Sequence, residues 1–427
     1  MNKLFYLFLI PCVGYFSALS GQNALEQILF ELPDISFEVI ETPANYQAAY
    51  ELKVKQPLDH EDPSKGYFYQ RVYLSHQGFN APTVLVTEGY EREKNVIYEL
   101  TNMIGANQVI VEHRFFGESV PEASVFDWHY LNLKQATADL HHIRQLLGQI
   151  YSDDWVSTGI SKGGQTTIFY RYFYPQDVEV SVPYVAPLNL QYADPRIYAF
   201  LDTIGSDACR KAIRDVQMRL LKDRDKILPL LKWYYKGAEA SFTYMSLETA
   251  FEYAVLEYPF SFWQLGYDCE KIPDTKKASL EEMTDYLLSV VGLDFYADQG
   301  IKQYAPHYWQ ASSEMGYYGY ETEDFKDLLK ALPAEPHASF APEGAKELFN
   351  DRLIKAVFDW TQTKGNEMIY IYGAIDTWTA TGVPPSNRVN ALWYIMDGRD
   401  HRNARIKNLS AQEQDQLFDQ MNKWLKD

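Results

Sequence analysis

Basic residues are in short supply. Lys and Arg number 39 against 58 Asp and Glu, a formal net charge of −19. A phosphate-binding surface would have to be local and work against the field of the whole chain, so nucleic acid is not an expected partner. Long apolar runs are missing too: beyond residues 1–20, no stretch approaches the roughly 18 apolar residues of a membrane-spanning helix. There is no internal repeat and no low-complexity tract. With 46% hydrophobic and 23% charged residues, the composition is that of a folded globular protein, which excludes a disordered, coiled-coil or collagen-like chain. A length of 427 residues allows two or three domains at about 150 residues each, and two is the better fit when an α/β domain runs long. Aromatic residues are the one surplus, with 33 Tyr. They suit a ligand cleft that grips by ring faces and hydroxyls, though most are expected in the core.

Residues 1–20 read as a targeting segment. Lys3 is the only charge, Leu4 to Val13 is apolar apart from Pro11, and Ala18-Leu19-Ser20 offers small residues to a signal peptidase. Export to the periplasm or beyond is expected. Cys12 opens a lipoprotein alternative, which Pro11 disfavours because a small residue should precede a lipidated cysteine. Cleavage near Ser20 removes Cys12 and leaves Cys209 and Cys269. In an oxidising compartment such a pair forms a disulfide; two buried free thiols are the alternative.

Short β-rich runs occur at 67–75, 83–87, 107–112 and 155–160, with a helical pattern from Asn132 to Ile150 between the last two. Strands alternating with helices argue for an α/β fold with a largely parallel sheet. Residues 191–345 differ. They are helix-patterned and rich in Tyr, Lys and Glu, with Leu201 to Lys236 and Ser246 to Tyr258 as the clearest helices, and they read as an insertion between 21–190 and 346–427. Strand signals return at 367–372 and 389–396, as a second layer of strands bracketing this cap. The chain closes with an amphipathic helix around Ala411 to Leu425.

The strongest local signal is Gly159-Ile160-Ser161-Lys162-Gly163-Gly164, after a strand and before a helix. Glycines there permit the sharp turn that presents a serine hydroxyl at a strand end and a helix N-terminus. A nucleophilic serine needs a base and a carboxylate to orient it, in the chain order Ser, acid, His. Of the histidines after Ser161, only His401 follows the second group of strands. Asp376 ends the preceding strand–loop unit, with Asp400 as a competing acid. The bland readings are a helix cap for Asp376 and a surface position for His401. Oxyanion donors are expected from the Lys162 N–H and from the loop Glu88-Gly89-Tyr90, with Tyr90 as the candidate. His113-Arg114 reads as a structural hydrogen-bonding hub. His141-His142 lacks partners at ligand spacing, so no metal is expected, and the elbow has no phosphate-loop continuation. No cofactor is required.

Glu112 to Pro121, Tyr130-Leu131, Gln135-Ala136, the Ser161 elbow with Tyr170 to Pro175, Trp309 to Tyr318, Gly373 to Trp378 and Gly398 to His401 together resemble the secreted serine exopeptidases that include lysosomal prolyl carboxypeptidase and dipeptidyl peptidase II. Lys162 after the nucleophile, Asp59-His60, Phe68 to Arg71 and Thr87 to Tyr90 point to their sister bacterial family of secreted tripeptidyl and tetrapeptidyl aminopeptidases. The resemblance implies an α/β-hydrolase with a helical cap and oligopeptide substrates with free N-termini, often cut after proline. Ser312-Ser313 stands where the lysosomal relatives carry a cysteine, so their disulfide pattern does not transfer. Counting residues from an N-terminus requires a negative group in the cleft. Glu314, in the shared Trp309 to Tyr318 segment, is the candidate, with Trp309 beside it and Glu88 as the next choice; the alternative for Glu314 is a buried hydrogen-bond network. An α/β-hydrolase esterase or lipase and a catalytically silent peptide-binding protein are the rival readings. The oligomeric state is not legible.

Overall fold

A computed structural model describes residues 24–425. The targeting segment 1–20, Cys12 included, lies outside the described residues. Nine strands form one sheet: β1 (Ile35–Val39), β2 (Ala48–Pro57), β3 (Tyr67–His76), β4 (Thr83–Thr87), β5 (Asn107–Val111), β6 (Trp155–Ile160), β7 (Val180–Tyr184), β8 (Met368–Gly373) and β9 (Ala391–Met396). Their order is β1-β2-β3-β5-β4-β6-β7-β8-β9. The β1–β2, β2–β3 and β3–β5 pairs are antiparallel. From β5 across to β9 every pair is parallel. This mixed sheet with helices on both faces is the α/β-hydrolase architecture.

The central strands are buried along their whole length, as parallel strands covered on both faces must be. Val84 and Val86 of β4 point to the face where Leu417, Met421 and Trp424 of the C-terminal helix Ala411–Trp424 pack. Leu85 points the other way, toward Leu140, Ile143 and Leu147 of the helix Leu133–Leu147. This is the period-two alternation of a strand.

The structure departs from the sequence reading in three places. The strands at 367–372 and 389–396 are not a second layer, because β8 pairs directly with β7 and continues the same sheet. Strands β1, β2 and β7 escape the pattern: β2 carries Glu51, Lys53 and Lys55, and β7 contains Pro183, which ordinarily argues against an interior strand. The stretch Leu201 to Lys236 is not one helix. Arg196–Leu201, Asp207–Lys222 and Arg224–Gly237 are separate, with Ser206 capping the second through Cys209 N–H.

Between β7 and β8 these helices, with Leu247–Gln264, Leu280–Val290 and Asp298–Gln310, surround a core of their own that includes Leu220, Phe251, Phe262 and Leu287. A disulfide joins Cys209 to Cys269. Arg224 is ion-paired in this core with Glu252.

A buried ion pair fastens the first half of the sheet. Arg114 Nε and Nη2 donate to the two carboxylate oxygens of Asp139, each at 2.7 Å. Arg114 also donates to the carbonyls of Leu58 (3.0 Å) and Tyr130 (2.6 Å). His60 Nε2 lies 2.8 Å from Asp139 Oδ1. Both members of the pair are fully buried. Burial alone would raise the Asp139 pKa, but the Arg114 charge and hydrogen bonds outweigh it and hold it below the usual range. Asp139→Asn leaves a buried guanidinium uncompensated and should cost about 3–5 kcal/mol, read from the urea unfolding midpoint. The pair's contribution should be complete above the unfolded carboxyl pKa, about 3.9, and vanish as pH falls through the lower folded value. The variant should lack that acid-side slope.

Candidate active site

Ser161 sits between β6 and the helix Lys162–Phe173 with φ 58° and ψ −123°. A non-glycine residue in that region carries strain of about 1–3 kcal/mol and persists only when its surroundings hold it. They do so by close backbone approach. A Cβ on Gly159 would lie 2.4 Å from the Gly163 carbonyl and 2.6 Å from Thr87 O, so no side chain fits. Thr87, at the end of β4, sends its hydroxyl to Gly163 O at 2.8 Å. Ser161 N–H donates to Tyr184 O of β7 at 2.9 Å. The turn is thereby pinned to both neighbouring strands.

The loop after β4 lies against the start of this helix. A Cβ on Gly89 would be 2.6 Å from Lys162 Cβ and 2.7 Å from Gly163 N. The backbone N–H groups of Lys162 and Tyr90 therefore sit on adjoining segments, and neither donates to a protein acceptor among the described residues. Lys162 Nζ donates to Gly89 O at 2.7 Å and lies 5.5 and 5.3 Å from the ring centroids of Tyr90 and Phe116. Burial pulls its pKa down to about 7, a shift that Glu314 partly opposes. His307, whose ring centroid lies 5.5 Å from that of Tyr90, is held down to about 3 by burial and by Lys162, and is neutral at neutral pH.

Asp376 and His401 follow β8 and β9, at the same carboxyl end of the sheet as Ser161. Asp376 is completely buried. Its Oδ2 is 2.7 Å from His401 Nδ1, and its Oδ1 accepts from Trp378 N–H at 3.1 Å. One carboxylate thus serves both as the cap of the turn Thr377–Thr381 and as the partner of the histidine. An ionised carboxylate only accepts, so Nδ1 carries the proton and Nε2 offers a lone pair. His401 N–H donates to Gln264 O at 3.0 Å, tying the loop to the cap helix Leu247–Gln264. Ser161 Oγ and His401 Nε2 make no hydrogen bond among the described residues, as is common before substrate tightens such a site. Asp400 is occupied elsewhere, accepting from Arg402 N, Asn403 N and Asn403 Nδ2.

A cavity of about 410 Å³ opens above Ser161 and Lys162 and is walled by residues of the cap. None of the three residues expected to bind substrate lines it. Glu314, in the π-helical turn Ala311–Met315, accepts from Leu133 N–H at 2.8 Å and from Gln310 Nε2 at 3.4 Å. Burial pushes its pKa up to about 8, although the Leu133 N–H pulls it down. It satisfies the start of the helix Leu133–Leu147 and faces a separate surface pocket shared with Trp309. Trp309 stacks on Trp128 with ring centroids 5.6 Å apart. Glu88 is taken by Arg92 at 2.6 Å and Tyr98 OH at 2.5 Å. The cap residues that do line the cavity, Glu257, Phe260, Ser261 and Gln264, went unnoticed in the sequence. Their spacing of i, i+3, i+4, i+7 marks one helix face, and Glu257 is an acid in an otherwise apolar stretch. Among the described residues no cluster of His, Cys, Asp and Glu could hold a metal ion.

Gly159→Ala forces a methyl group into contact with two carbonyls. It should destabilise the protein by about 1–3 kcal/mol in urea unfolding.

Residues 23–395 match the family model described as PS-10 peptidase S37. The chain is 31% identical over 417 residues to the prolyl tri/tetrapeptidyl aminopeptidase of Streptomyces mobaraensis, covering 96% of this chain and 86% of that protein. It is also 30% identical over 190 residues to a serine protease of Caenorhabditis elegans, covering 39% of this chain and 34% of that protein.

Proposed function

The chain belongs to the PS-10 peptidase S37 family and is a serine peptidase, and from that premise we propose that Ser161, His401 and Asp376 form its catalytic triad. Ser161 Oγ attacks the scissile carbonyl while His401 Nε2 accepts the hydroxyl proton. Asp376 holds the imidazole through Nδ1 and stabilises the imidazolium that forms. The oxyanion is received by the N–H groups of Lys162 and Tyr90, assisted by the positive end of the helix Lys162–Phe173. His401 then protonates the departing amine and the downstream peptide leaves. Water, deprotonated by the same imidazole, attacks the acyl-enzyme and frees the N-terminal fragment.

The observation that carries this reading is the 2.7 Å Asp376–His401 bond at the same end of the parallel strands that carries Ser161, a serine held at positive φ. The substrates are oligopeptides, cut to release short N-terminal fragments. The name of the Streptomyces relative supports a length of three or four residues and a proline at the cut. The aromatic walls of the cavity, with Phe260, Tyr317, Tyr318 and Trp378, suit the flat apolar face of a prolyl ring. Export rests on the targeting segment 1–20.

The wild-type protein should be labelled by a fluorophosphonate at Ser161. Mass spectrometry of products from a free-amine peptide library should show short N-terminal fragments. Ser161→Ala and His401→Ala should each lower turnover by roughly 10⁴- to 10⁶-fold, and the double variant little further. More than a tenth of wild-type activity in either single variant, with an unchanged circular dichroism spectrum, would remove these residues from the mechanism.

A further inference from the structure

The cap helix Leu247–Gln264 carries two buried glutamates with opposite circumstances. Glu252 is matched by charge: it pairs with Arg224 and accepts the N–H groups of Lys330, Ala331 and Leu332. Glu257 has no cation. Its carboxylate accepts only from hydroxyls, Tyr318 at 3.0 Å, Tyr320 at 2.7 Å and Ser261 at 3.1 Å. No Lys, Arg or His pairs with it among the described residues. It is 8% exposed and lines the cavity that holds Ser161. A buried carboxylate is stabilised by a positive charge, and this one is organised by hydroxyl donors yet left without its counter-ion.

The geometry also has a length. Glu257 and Gln264 are seven residues apart on one helix, which is roughly 10 Å along its axis. Gln264 O is where that helix meets the His401 loop. An extended peptide advances about 3.3–3.6 Å per residue, so three residues span roughly the same distance. On the peptidase reading above, we propose that Glu257 anchors the α-ammonium of the substrate, and that its separation from the Ser161 end of the cavity sets how many residues are removed.

The other charged groups at the cavity are less suited. Lys162 carries no negative charge to offer and is already engaged with Gly89 O and two rings, and His307 is neutral. Glu91 is only half-buried and accepts from Gln303 Nε2 at 2.6 Å. Burial raises the Glu257 pKa to about 7 against the pull of its hydroxyl partners, which an incoming ammonium would reverse.

Glu257→Gln keeps the size and an acceptor oxygen but removes the charge. Three substrates separate the outcomes: a free-amine peptide, the same peptide N-acetylated, and a small acyl ester. The variant should lose roughly 30- to 1,000-fold in kcat/KM on the free-amine peptide, while acetylated-peptide and ester hydrolysis and the rate of fluorophosphonate labelling stay within about threefold. In the wild-type protein, the free-amine peptide should slow fluorophosphonate labelling at concentrations where the acetylated one does not, a measurement that needs no variant. Equal loss on all three substrates, or equal protection by both peptides, overturns the assignment and leaves the peptidase reading standing. A loss confined to free-amine peptides in Glu91→Gln but absent in Glu257→Gln moves the anchor to the rim and also overturns it. If the wild-type protein is neither labelled nor active on any peptide, the peptidase reading itself fails.

Discussion

The contact on which the site depends is the approach of the helix Lys162–Phe173 to the end of β4, backbone against backbone. Gly159, Gly89 and the Gly163 carbonyl lie too close for any Cβ between them, and the Thr87 hydroxyl bridges the seam. On the other side Ser161 is held by β7, whose Tyr184 O accepts its N–H, so relaxing out of positive φ would strain both attachments. The same closeness brings the Lys162 and Tyr90 amides into one neighbourhood. Lys162 Nζ reinforces it from the side-chain direction by grasping Gly89 O. A buried lysine is a costly clamp, and the depressed pKa records that cost.

The buried acids of this molecule sort by what neutralises them. Asp139 has Arg114, Glu252 has Arg224 and Glu88 has Arg92, while Asp376 is held by the His401 ring and the Trp378 N–H. Glu112 is held by Ser119 and backbone N–H groups with Arg71 nearby. Carboxylates whose charge is already answered hold the scaffold together. Glu257, whose partners are hydroxyls alone, faces the cavity over Ser161, whereas Glu314, also without a paired cation among the described residues, accepts from the Leu133 N–H and faces a separate pocket. This distinction is a property of three-dimensional neighbours, and it is why Glu314 stands out in the sequence and Glu257 only in the structure.

Legibility in the sequence followed the range of the interaction. The elbow and the segments carrying Asp376 and His401 were readable because glycine spacing, a preceding strand and chain order are local or topological facts. The runs 83–87 and 155–160 were readable because β-branched residues cluster in strands buried on both faces. Strand β7 was hidden by Pro183, whose ring is tolerated where the ladder leaves a hydrogen bond unmade, and β2 by alternating charges on its outer face. The lining of the cavity was least visible. Its cap members face Ser161 only after the chain has folded back over the sheet, and Glu314 accepts from the first N–H of the helix Leu133–Leu147 instead of lining the cavity.

Ser161 and His401 are attached to very different parts of the sheet. The serine follows β6, an interior strand paired on both sides, whereas the histidine follows β9, the terminal strand, paired only with β8. Edge strands fray at lower free energy than interior ones. His401 is therefore secured less by the sheet than by its bonds to Asp376 and to Gln264 of the cap. On the proposed triad, loosening of the outer strand or of the cap would disconnect the base while the serine and its strained turn stayed folded, leaving a near-native form with an intact serine that cannot turn over.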